Sequence, residues 1–176
     1  MVKTLLSQVK EYKRDSILTP VCMILEVIFE TLIPLLMASI INDGVMKGDL
    51  KHIYIVGAAM LVLAVGGLWS GAMGGKYGAR ASTGFAKNLR KAMYENIQTF
   101  SFSNIDKYST AGLITRMTTD VTNVQNAYQM IIRMGIRAPF TLIAALFMSM
   151  LVSVKISMIF VVAIIFLGIV LAVIIS

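Results

Sequence analysis

Glu26 and Glu30 are acids four residues apart inside a long apolar run. At that spacing both fall on one face of a helix. A charged acid near a bilayer centre costs about 2.5–3.5 kcal/mol on insertion scales, so such a face avoids lipid. Counted from Ile17 at 1.5 Å per residue, the two stand ~13 and ~20 Å along the run. The chemistry open to the pair is electrostatic. They either line a path that favours cationic, amphipathic compounds, or hold their helix to a neighbouring span. The other reactive residue types are isolated. Cys22 is the one cysteine, so no intrachain disulfide can form. His52 has no Cys or His companion at ligand spacing, which argues against a metal site. Gly75-Lys76 is not a phosphate loop: that pattern needs Gly at position 70 and Ser or Thr at 77, where this chain has Ser70 and Tyr77. No nucleophile, base and orienting group share a neighbourhood, so no catalytic or cofactor-binding residue is expected in this chain.

The elements that carry these residues follow from composition. The chain has 176 residues, of which 57% are hydrophobic and 14% charged. Its apolar runs contain too few polar residues to give a helix a solvated face. The net charge of +7 does not indicate nucleic acid, because the basic residues flank the apolar runs, where topology signals belong. Residues 1–15 place Leu5, Val9 and Tyr12 at helical steps among Lys3, Lys10, Lys13 and Arg14, the pattern of a short interfacial helix on the membrane surface. The first span is expected from Ile17 to Ile41, with Pro34 as a kink point and Asn42-Asp43-Gly44 as the stop and turn. A second span begins near Ile53 and stays apolar to Met73.

Residues 76–137 are polar yet helical in pattern. Phe85, Leu89, Met93, Ile97 and Phe100 recur at three- and four-residue steps. After a break at Ser101–Gly112, Ile114, Met117, Val121, Val124, Tyr128 and Ile131 repeat the pattern. This is the seam of a helical hairpin. The second span therefore runs on into water, turns, and returns into a third span at Ile136–Val152. One helix over 53–100 would be ~70 Å long, leaving ~40 Å beyond a ~30 Å hydrocarbon core. A fourth run, residues 156–176, carries no charge and ends without a basic anchor, as expected of the N-terminal part of a longer protein. The expected fold is an all-α membrane protein with about four transmembrane helices and long cytoplasmic helical extensions.

Of sixteen Lys and Arg, four precede the first span, nine lie between Lys76 and Arg137, and only Lys47, Lys51 and Lys155 fall on the other side. This split puts the N-terminus and the hairpin in the cytoplasm of a multi-pass cell-membrane protein. Gly67, Gly71 and Gly75, extended by Ala79, form a small-residue row suited to close helix packing, with a flexible hinge as the alternative. At the hairpin tip Phe102, Ile105 and Tyr108 are apolar residues held far from lipid, which points to contact with another protein surface.

Taken together, Asn88-Leu-Arg90, Phe100, Asn104-Ile-Asp106, Gly112-Leu-Ile-Thr-Arg116 and Thr119-Asp120-Val121 resemble the first intracellular loop of ATP-binding-cassette exporters. Ile33-Pro-Leu-Leu36 through Ile40-Ile-Asn-Asp43-Gly44 resembles the end of their first membrane helix. The resemblance covers nearly the whole chain and implies residues 16–176 as an incomplete exporter transmembrane domain of the six-helix kind. It implies a coupling helix near Ser103–Ser109, made by Phe102, Ser103, Asn104, Ile105, Asp106, Lys107 and Tyr108. Many exporters carry two aromatics and an aspartate at this tip. Here the match is Asn104-Ile105-Asp106 with one extra residue before Gly112, which looks closer to heterodimeric multidrug half-transporters. The implied partners are the lipid bilayer, an ATPase domain, a second half-transporter and a small amphipathic substrate. ATP and Mg would bind in the ATPase domain, not in this chain. The alternative is a membrane-anchored signalling or scaffold protein that uses the hairpin as a relay.

Overall fold

The computed structural model describes residues 2–100, 109–152 and 154–175. All regular structure among them is helical. A short helix α1 (Val2–Leu6) leads into a 3-10 stretch, Ser7–Tyr12, where Lys10 at φ 40° turns the chain into α2 (Lys13–Ser39). Then come α3 (Leu50–Gln98), the short α4 (Thr110–Thr115), α5 (Val121–Val152) and α6 (Val154–Ile175). Three helical stretches are long and apolar enough to cross a membrane: Thr4–Val45, Leu50–Gln98 and Thr110–Leu151. The last helix, α6, contains a shorter apolar stretch at Ser157–Val170. The fold is thus the all-α membrane architecture that the composition implies. The 49 residues of α3 form one uninterrupted helix, so the second apolar run continues into the polar region without a break.

Two local expectations are corrected. The helix does not stop at Asn42-Asp43-Gly44. It widens into a π turn, Ile40–Val45, and the chain reverses after it. Gly44 is a packing glycine, since a Cβ there would stand 2.5 Å from Ile53 Cγ1. The turn glycine is Gly48, at φ +70°. Asp49 then caps α3, its carboxylate accepting from the His52 N–H at 3.1 Å. The heptad seam also fails at its ends, with Ile114 58% and Ile131 66% exposed. A π turn at Arg116–Asp120 adds backbone between Ile114 and Val121 and rotates them out of phase. Past Tyr128 a straight helix drifts off a 3.5-residue repeat, so Gln129 and Ile132 turn inward in place of Ile131.

The chain divides into two compact units. The first comprises Met1–Leu25 and Leu68–Arg137, the second Glu26–Gly67 and Ala138–Ser176. Thirteen of the sixteen Lys and Arg belong to the first unit, and Lys47, Lys51 and Lys155 to the second. The first unit buries Val9, Met23, Ala81, Phe85, Ala86 and Val121, together with the polar Thr19, Ser70, Ser82 and Asn88. Its helices approach closely at glycines. A Cβ on Gly74 would collide with Met23 and lie 3.1 Å from Cys22 Cβ, and one on Gly78 would lie 3.2 Å from Thr19 Cγ2. A Cβ on Gly84 would occupy the place of the Tyr12 ring. In the second unit Phe29 lies against Gly66 and Gly67, and Ser39 Oγ meets His52 Nε2 at 3.0 Å. Large apolar residues such as Leu61, Val62, Val65 and Leu68 stay exposed, as a lipid-facing surface requires.

Gly84→Leu should therefore expel Tyr12 and free the N-terminal segment at a cost of roughly 1–3 kcal/mol. Trypsin should then cut after Lys10 or Lys13 in the membrane-embedded protein, with a lowered melting temperature. Gly57, which has open space around its Cβ position, provides the control: Gly57→Ala should leave both readouts unchanged or raise stability by up to ~1 kcal/mol.

Candidate functional site

The faces of α2 are fixed by burial. Thr19 and Met23 are 0% and Val27 1% exposed, whereas Ile17, Leu18, Val21, Leu25 and Ile28 are open. At 3.6 residues per turn the open residues share one side of the helix and the buried ones the other. Glu30 falls between Thr19 and Met23 on that wheel, and Glu26 beside Thr19. Both acids thus fall on the side of α2 that carries Thr19 and Met23. Glu26 is half-buried and Glu30 exposed. Each is engaged by another residue. Thr19 and Thr31 turn their hydroxyls back to the Asp15 and Val27 carbonyls, at 2.8 and 2.5 Å, so these side chains bring no unmet donor into the apolar layer.

The helices of the first unit are braced by side-chain contacts. Phe85 of α3 stacks on Tyr128 of α5, ring centroids 4.7 Å apart. The Tyr128 hydroxyl meets Ser16 Oγ at 2.7 Å, so this one side chain touches α2, α3 and its own helix. Ser82 Oγ donates to Gln129 Oε1 at 3.4 Å. Nearer the tip Arg90 Nε donates to the Met117 carbonyl at 3.2 Å, and Arg90 Nη2 to Thr122 Oγ1 at 3.1 Å. Asn88 Nδ2 donates to the Gln8 carbonyl at 3.0 Å and fastens the N-terminal stretch to α3. Arg80, itself exposed, stands 3.8 Å from the largely buried Asp15 carboxylate.

The sequence motifs point at several of these residues without saying what they do. Asn88 and Arg90 are conspicuous in the loop pattern, and the seam contains Phe85 and Tyr128, but a seam does not reveal the Ser16 hydrogen bond. Of the glycine row, Gly67 is buried against Phe29, Gly71 is half-buried, and Gly75 has the Arg133 guanidinium 3.9 Å from its Cβ position. The tip residues Phe102, Ser103, Asn104, Ile105, Asp106, Lys107 and Tyr108 lie outside the described residues. Just after them Ser109 sits at φ 52°, and its hydroxyl accepts from the Gly112 N–H at 3.2 Å, capping α4. The described residues contain no cluster of three or more His, Cys, Asp or Glu that could hold a metal.

Residues 16–176 match the family model for the ABC transporter transmembrane region. The chain is 37% identical over 150 residues to a Bacillus subtilis (strain 168) protein named as the uncharacterized ABC transporter ATP-binding protein YfiB, covering 85% of this chain and 26% of that one. It is 33% identical over 152 residues to the uncharacterized ABC transporter ATP-binding protein Rv1273c of Mycobacterium tuberculosis (strain ATCC 25618 / H37Rv), with the same coverage. The chain therefore spans about a quarter of the length of these relatives.

The three-way role of Tyr128 separates two energies. Tyr128→Phe keeps the stack and loses only the Ser16 bond, at a cost of about 0.5–1.5 kcal/mol. Tyr128→Ala also removes the ring, and its cost should rise to roughly 3–5 kcal/mol. Thermal unfolding of both variants in nanodiscs checks this, and equal losses would show that the ring packing is idle.

Proposed function

The chain belongs to the ABC transporter transmembrane family, and on that premise we propose that it forms the substrate path of an ATP-driven exporter, coupled to an ATPase domain elsewhere in the protein. The supporting observation is the braced hairpin. α3 runs unbroken from its apolar stretch into the polar unit, and Arg90 and Tyr128 tie it to the returning arm. A displacement applied at residues 101–108 is then carried as a rigid movement toward the spans rather than absorbed by the hairpin. Family membership favours this reading over a signalling relay.

In this mechanism ATP and Mg bind in the ATPase domain and close it. Phe102, Ile105 and Tyr108 dock on that domain, with Ser103, Asn104, Asp106 and Lys107 completing the coupling segment. The names of the relatives, as ATP-binding proteins, support such a domain in the protein that carries this chain. The split of basic residues supports a cytoplasmic N-terminus and tip. The tip sequence, with its extra residue before Gly112, supports pairing with an unlike half-transporter. Glu26 and Glu30, on the side of α2 that carries Thr19 and Met23, would favour small cationic amphiphiles, including drugs.

Three experiments on the intact transporter test this reading. A cysteine at Asn104, in a Cys22→Ser background, should react with a membrane-impermeant maleimide only in inside-out vesicles. At the same tip Ile105→Asp should leave insertion intact and uncouple ATP hydrolysis from transport. Normal transport by that variant would remove Ile105 from the coupling contact. For the acids, Glu26→Gln and Glu30→Gln should each reduce export of a cationic substrate about tenfold and spare a neutral one. Equal loss of both substrates with poor assembly would make the acids structural.

A further inference from the structure

The π turn at Arg116–Asp120 passes over one backbone carbonyl. The Val121 N–H bonds the Arg116 and Thr118 carbonyls. In an α helix it would take the carbonyl four residues back, that of Met117. The Met117 carbonyl accepts instead from Arg90 Nε of α3, at 3.2 Å. Arg90 Nη2 donates to Thr122 Oγ1 at 3.1 Å, and that hydroxyl donates in turn to the Thr118 carbonyl at 2.8 Å. One guanidinium therefore holds two successive carbonyls of the turn, the first directly and the second through a threonine. Its donors leave in a rigid planar fork, which the single nitrogen of a lysine does not reproduce.

A π turn can be no more than one residue too many in a helix, with no second state open to it. Here the apolar pattern supplies one. Ile114, Met117, Val121 and Val124 follow at steps of three, four and three, so they share a face only if the helix is α throughout. With the π turn in place Ile114 is 58% exposed. Leu113 takes the inward position, where it lines a hollow of about 200 Å³ together with Met93, Ile97 and Phe100. Reversion to α would turn α4 by about 100° and shift it ~1.5 Å along its axis. Ile114 would then come to the hollow and Leu113 would leave it. The apolar pattern thus favours one register of the returning arm, and Arg90 the other.

We propose that Arg90 is a positioning residue that holds the returning arm in the π register, and that the arm has a second, α register in which Ile114 replaces Leu113 against the end of α3. A part for this choice in coupling rests on the exporter reading above; the choice itself does not, and its readout needs no transport. The test uses the intact protein in nanodiscs, carrying Cys22→Ser, Ile97→Cys and either Leu113→Cys or Ile114→Cys. A short thiol-to-thiol cross-linker is added and the intrachain product is scored. With Arg90 present the Leu113 pair should cross-link and the Ile114 pair should not. Arg90→Lys keeps the charge but loses the fork, and should raise the Ile114 product and lower the Leu113 product, each roughly tenfold. Deleting Thr119, an exposed residue of the turn, puts Arg116 four residues before Val121, so an α helix then keeps the present faces. Combined with Arg90→Lys, this deletion should return the cross-link to Leu113. A Leu113 product unchanged by Arg90→Lys would overturn the proposal. So would loss of both products, the result expected of a merely structural arginine, or failure of the deletion to restore the Leu113 product.

Discussion

Two apolar helices in lipid gain nothing by hiding from water, so what joins them is close backbone approach and the hydrogen bonds made across it. Here that approach is the meeting of Gly74 and Gly78 with Thr19, Cys22 and Met23. The rest of the first unit depends on it. With the two backbones this close, Tyr12 reaches the bare surface at Gly84, Ser16 reaches the Tyr128 hydroxyl, and the Gln8 carbonyl reaches Asn88. Bulk at Gly74 or Gly78 would move all of these contacts together, because they hang on one short section of two helices.

Beyond its apolar stretch α3 meets a different solvent without changing its secondary structure. In water the hydrophobic effect returns, and the helix needs a core again. Ala81, Phe85 and Ala86 bury against the N-terminal stretch and the returning arm, and Val121 closes the seam. The polar bonds sit at the margins of this thin core, where Arg90 holds a backbone carbonyl and a threonine hydroxyl. Apolar contact gives such a hairpin its stiffness, and directed bonds at the edge fix its register.

The period of the apolar residues made the four helical runs and the hairpin legible, because each alternative solvent leaves its own mark on composition. Which residue makes the turn was not. Asn42-Asp43-Gly44 carries strong turn chemistry, yet Gly44 is spent on contact with Ile53, and the reversal falls to Gly48. A glycine that permits a positive φ and a glycine that permits close approach look the same in sequence. The π turn at Arg116–Asp120 was hidden for a similar reason: its residues, Arg-Met-Thr-Thr-Asp, suit an ordinary helix equally well.

The small residues of α3 show what a partner adds. The sequence offers two adjacent rows at four-residue spacing, Gly67-Gly71-Gly75 and Gly66-Ser70-Gly74-Gly78. Both could admit a neighbouring helix, and hydropathy cannot rank them. The choice is made by side chains that approach from outside the row. Met23 and Thr19 occupy the space over Gly74 and Gly78, and Phe29 covers Gly66 and Gly67. In the other row Gly75 faces a guanidinium rather than a helix backbone. Gly67 of that row packs as well, against Phe29, and Gly75 has the Arg133 guanidinium at ordinary contact distance from its Cβ position. Two glycines adjacent in sequence, Gly74 and Gly75, thus meet different neighbours, because successive residues on a helix point about 100° apart.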